Sequence, residues 1–145
     1  MAVRRSTWID LGGFDEMLGV GARFRSGEDL DFAIRSLLRG EWVLQTPGPR
    51  VMHRSPTAVG DRGALIRRNW FGSGAALAKC TRMAPAQTLV TLARLGLRWR
   101  AGGSAVAETY GPKPDRIGML AGFTRGFATG LLAPIERRSD HFEHK

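Results

Sequence analysis

Carboxylates are the side chains in this chain whose spacing most readily does chemistry. Asp15 and Glu16 end a tight Leu11-Gly12-Gly13-Phe14 turn, and Glu28 and Asp29, with Asp31 beyond, open a helical stretch. Twelve residues separate Glu16 from Asp29. Together the two pieces could set a carboxylate beside a cleft, where it can take a proton from a hydroxyl as that hydroxyl attacks an electrophile. The same residues have a plainer use. Acidic groups in the first turn of a helix interact favourably with its dipole, and Ser26-x-x-Asp29 is a capping-box type of start. Spacing alone leaves both uses open.

The elements that would position these groups can be read from periodicity and punctuation. Leu30, Ala33, Ile34, Leu37 and Leu38 fall at helical spacing and form one apolar face, Asp31 and Arg35 are i,i+4 partners, and Gly40 ends the helix. Met1-Ala2-Val3 reads as the end of a strand. Ser6 is placed to cap a short helix through Leu11, which Gly12-Gly13 stops. Phe14 to Arg25 reads as a loop. Trp42 to Thr46 is β-prone, and Arg50 to His53 is a second short extended run. Three helices are expected beyond, at about 61–81, 86–99 and 117–132.

Composition narrows the class. A length of 145 residues suits one compact domain. A single cysteine, Cys80, excludes an intramolecular disulfide and fits a reducing compartment. The opening MAVRRSTW lacks the apolar stretch of a signal peptide, and no uncharged apolar run reaches the ~18 residues of a spanning helix. The closest approach, Ile117 to Ile135, is interrupted by Arg125. Net charge is +9 and uneven: residues 1–68 carry +3 and residues 69–145 carry +6. That bias implies an anionic partner: a lipid surface, a phosphorylated substrate or nucleic acid. No Cys/His group has zinc-ligand spacing. The nearest candidate, Asp140-His141-Phe142-Glu143-His144, is expected to be a solvated chain end.

The order Leu11-Gly12-Gly13-Phe14-Asp15-Glu16, Gly27-Glu28-Asp29-Leu30-Asp31, Arg35, Gly40, Pro47, Val51-Met52-His53 resembles the second half of a family 2 glycosyltransferase of the GT-A fold. The likeness is close from residue 1 to about 55 and continues weakly through Arg68-Asn69 and the later helices. The resemblance implies an α/β fold: the C-terminal portion of a nucleotide-sugar transferase domain, with few short strands among helices, followed by an α-helical tail. Residues 1–60 would be the acceptor and catalytic half, and residues 61–145 the basic tail. It implies sugar transfer from a nucleotide-sugar donor to an acceptor hydroxyl of a surface polysaccharide or glycolipid, with inversion.

By the same resemblance Asp29 is the general base and Glu28 shapes the acceptor site. Gly12, Gly13, Phe14 and Asp15 form the turn under donor sugar and acceptor. His53 matches a position that helps bind a metal or diphosphate, although a hydrogen-bonded histidine without ligand role fits it equally well. The implied cofactor is a divalent metal, Mg or Mn. Galactosyltransferase-type segments also carry Gly-Glu-Asp before a helix, but Ser26 stands where their Trp would be.

The family's donor-binding half, with its Asp-x-Asp metal motif, has no counterpart in this sequence. Asp29-Leu30-Asp31 spells that motif but lies at the helix start where the resemblance puts the base. The expectation is therefore a truncated chain that alone binds nucleotide sugar weakly and transfers nothing.

The tail carries its own signals. Gly118, Gly122, Gly126 and Gly130 line one ridge of a helix, suited to close packing against another helix or against lipid tails. Arg125, and Arg94, Arg98 and Arg100 beside Trp99, suit a membrane-surface foot. Arg62, Arg67 and Arg68 could approach a diphosphate or phospholipid acceptor, or form a solvated basic face. The expected location is cytoplasmic, with peripheral contact at the inner face of the cell membrane. The alternative is a non-catalytic basic module for a membrane surface or nucleic acid. Against the latter, the charge is dispersed and no nucleic-acid motif is present.

Overall fold

The structure, a computed structural model, describes residues 2–44, 62–90, 93, 115–136 and 140–143. Helix α1 spans Arg5–Asp10, α2 Glu28–Leu38, α3 Arg62–Met83 and α4 Arg116–Leu132. A short helical stretch, 85–90, follows α3. Strands β1 (Ile135–Glu136) and β2 (His141–Phe142) form an antiparallel ribbon in which Ile135 pairs with Phe142 and Glu136 with His141.

Helix α3 is the centre of the packing. Residues 74–80 are all buried, because this run is small and apolar (Gly74, Ala75, Ala76, Leu77, Ala78) and neighbours close in from several sides. Ala75 and Ala76 meet Met17, Leu18, Phe24, Ala133 and Phe142 in one core, with Phe71 and Ile135 at its margin. Phe24 and Phe142 stack with centroids 4.5 Å apart. The boundary expected near residue 60 does not divide this core: residues on both sides of it share the same contacts.

Helices α3 and α4 lie side by side and run the same way along the chain. The glycine ridge of α4 is what lets them approach. A Cβ on Gly122 would sit 2.6 Å from the Arg67 carbonyl oxygen and one on Gly130 2.9 Å from Ala75 Cα. At Gly126 it would overlap the Phe71 carbonyl, and at Gly74 of α3 the Phe123 carbonyl. Of the two partners expected for the ridge, helix and lipid, it faces a helix. Asp115 caps α4, accepting from the Gly118 amide at 2.8 Å. Arg82 donates to the Ala133 and Gly130 carbonyls at the other end.

Several local expectations are corrected. Ser6 does not cap α1; Arg4 holds the N-cap position with no side-chain bond, and the helix ends at Asp10. Ser26 does not cap α2; Gly27 does so in a left-handed conformation (φ 96°), again without a side-chain bond. Ser26 instead donates to the Arg68 and Asn69 carbonyls at 3.2 and 3.0 Å, pinning the start of α2 onto α3. Residues 2–4 and 41–44 form no strand, since neither meets a neighbouring ladder among the described residues. The 86–99 helix is described only over 85–90 and at 93, and Gln45 to Thr46 and Arg50 to His53 lie outside the described residues. The 140–143 segment is not a solvated end: Phe142 is buried in the core.

Candidate functional site

The two carboxylate-bearing pieces are joined by a buried ion cluster. Arg35 on α2 reaches back across the turn, donating to the Leu11 carbonyl at 2.7 Å and the Gly13 carbonyl at 2.8 Å. Its Nε donates to Asp31 Oδ2 at 2.8 Å. Lys79 of α3 lies 2.7 Å from Asp31 Oδ1, a contact outside hydrogen-bond angles, and donates to Asp15 Oδ2 at 2.6 Å. Asp15 also accepts from the Met17 amide at 2.9 Å and the Phe142 amide at 2.8 Å. All four side chains are 1% exposed or less. Two acids and two bases balance, which is what makes such deep burial tolerable. The cluster fixes the Leu11-to-Glu16 turn, the start of α2, α3 and β2 relative to one another.

This arrangement assigns different places to the expected site residues. Asp15 faces inward with both oxygens engaged, so it holds the turn and does not line a cleft. Gly13 is covered by the Trp8 indole, where a Cβ would sit 2.9 Å from Cζ2 at a φ of 77°. Gly12 and Phe14 do reach the surface. They line an open cleft of about 460 Å³ together with Glu16, Glu136, His141 and Glu143. Trp8, Phe14 and Phe32 support its edge, with Trp8 to Phe14 at 4.9 Å and Phe14 to Phe32 at 5.5 Å.

Asp29 is exposed in the first turn of α2, and Glu28 is half-buried against Gly19. Neither lines this cleft. Arg67 and Arg68 lie in a different cavity altogether, with Arg23, Arg25 and Arg125. His53 lies outside the described residues.

His141 is the histidine among the residues that line the cleft, beside Glu16, Glu136 and Glu143. Burial, and then the nearby Arg35 guanidinium, lower its pKa from 6.5, so the imidazole is neutral at pH 7. Cys80, behind the cluster, is a poor nucleophile. Burial first, then the Asp31 charge, push its thiol up to about 12. Among the described residues no group of three or more His, Cys, Asp or Glu is placed to hold a metal ion.

Lys79 and Phe142 were not among the expected site residues. The signal for Lys79 was available: a lone cation inside the apolar run Ala75 to Cys80 can be buried only with a counter-charge. No comparable signal marks Phe142, which contributes its backbone amide to Asp15 and its ring to Lys79, 5.1 Å from the ring centroid. No family model, curated protein or solved structure matches this chain. No helix among the described residues is long and apolar enough to cross a membrane.

Proposed function

We propose that this chain is the acceptor-side portion of an inverting family 2-type glycosyltransferase, with Asp29 as the base that deprotonates the acceptor hydroxyl. The observation that supports the reading is the Arg35 clamp. A loop separates the two motif pieces carrying the resemblance, yet one guanidinium binds the Leu11 and Gly13 carbonyls while paired with Asp31. Such a clamp makes the Gly-Gly-Phe-Asp-Glu turn and the Glu-Asp helix start a single rigid unit, as precise proton transfer requires. Asp29 then stands exposed on the α2 turn just before the clamped Asp31, open to an acceptor. Glu28 flanks it and shapes the approach. The donor-binding contacts come from outside the residues described here.

In this reading the isolated chain transfers no sugar and binds nucleoside diphosphate no more tightly than about millimolar. The test is a chimera in which this chain replaces the acceptor half of a family 2 enzyme with the same motif order. The chimera should transfer sugar, and Asp29→Asn should lower the rate by about 10² or more. A chimera that melts cooperatively and binds nucleotide but transfers nothing contradicts the reading.

A further inference from the structure

Arginine side chains are gathered in one place that the ion cluster does not use. Arg23 and Arg25, from the loop before α2, and Arg67 and Arg68, on α3, meet Arg125 of α4 around a cavity of about 480 Å³. Among the described residues no carboxylate lines it, and only Arg67 has an acidic partner, Asp115 at 3.6 Å. The other four carry their charge without one. Arg125 lies over the Phe71 ring at 5.9 Å and Arg23 over Phe24 at 5.5 Å, contacts that orient a guanidinium without neutralising it. Arg68 Nε is buried with no hydrogen-bond partner. Arg25 holds a left-handed backbone (φ 68°), rare for a residue with a side chain.

Like charges brought together at this density repel, and an anion seated among them would relieve that repulsion. We propose that this cavity binds a phosphate-bearing group. Several planar forks around a concave site match the oxygens of a phosphate or diphosphate, each able to donate two parallel hydrogen bonds. The three elements that supply the arginines converge through close backbone packing, so the points from which the side chains reach into the cavity are preset, while Arg23, Arg25, Arg67 and Arg125 keep exposed, adjustable guanidinium groups. Two sources of the group are compatible with the surroundings. One is a soluble phosphate or diphosphate. The other is a lipid headgroup, since Ile117, Leu120 and Leu132 of α4, the helix that supplies Arg125, are 84%, 58% and 87% exposed. The proposal does not depend on the role of Asp29.

The experiment is calorimetric titration of the full chain with inorganic pyrophosphate, alongside flotation with phosphatidylcholine vesicles with and without phosphatidylglycerol. Binding should be present in at least one arm. It should weaken about tenfold or more in Arg25→Glu/Arg125→Glu, but hardly change in Arg4→Glu/Arg5→Glu, which alters net charge equally at exposed sites away from the cavity. Ala64→Glu, which places a carboxylate at the cavity wall, should act like the first pair and guards against loss of fold in it. Pyrophosphate binding without vesicle binding identifies a soluble ligand, and vesicle binding that requires phosphatidylglycerol identifies a headgroup. No binding in either arm, or equal loss in the control pair, overturns the proposal. So does duplex DNA binding that pyrophosphate does not displace.

Discussion

Lys79 is the residue on which the most structure depends. Its ammonium is the counter-charge for Asp15 and a second partner for Asp31, all without solvent. Removing one member of a buried ion cluster leaves an uncompensated charge, typically costing about 3–5 kcal/mol. Lys79→Met should therefore lower the unfolding free energy by about that amount in urea titration, although it removes no apolar packing. His141 gives a pH signature. Its folded pKa lies below 6.5, so between the two values the unfolded chain binds more protons and stability rises with pH. The contribution is complete above about pH 6.5 and is lost as pH falls toward the folded value. Melting temperature should climb as pH rises toward about 6.5, and the climb should be shallower in His141→Gln.

Elements show why local signals misplaced some boundaries. Ser26 has the right chemistry to cap α2, but the Arg68 and Asn69 carbonyls compete for its hydroxyl and win because the loop lies on α3. Gly27 takes the cap because its Cβ position is 2.7 Å from the Gly72 carbonyl oxygen, leaving no room for a side chain. The β-prone Trp42, Val43 and Leu44 are 86%, 52% and 82% exposed and form no strand, since β-propensity acts only through a pairing neighbour. The spacing of glycines in α4 was legible as a packing ridge, but which surface it met was not, because sequence spacing does not name the partner. The ridge yields a direct test. Gly126→Val should destabilise by about 3 kcal/mol or more, since its side chain collides with the Phe71 backbone and not with a movable rotamer. Ala128→Val, on the exposed face of the same helix, should be nearly neutral. Equal effects in thermal melts would contradict the packing.

Across the whole molecule, the helices and the Asp31–Arg35 pair could be read from the sequence, because each is a local regularity. The apolar face read on α2 is not the one that is buried: Asp31, Phe32, Arg35 and Ser36 face inward, while Leu30 and Leu37 are exposed. Nor could the core be read. It joins Met17 and Phe24 to Ala75, Ala133 and Phe142, and only tertiary structure brings those together. The same holds for the separation of the expected site into parts: Gly12 and Phe14 at an acidic cleft, Asp29 exposed elsewhere on α2, and Arg67 and Arg68 in an arginine cavity. The excess of positive charge was visible at once, but part of it serves the interior, as Arg35 and Lys79 do. The central claim concerns Asp29, and its most direct measurement is the initial rate of sugar transfer by the chimera carrying Asp29→Asn. The account predicts a loss of about 10² or more at a melting temperature that changes little, because an exposed first-turn carboxylate supports no packing and its interaction with the helix dipole is worth only about 0.3–1 kcal/mol. Transfer at the parent rate would contradict it.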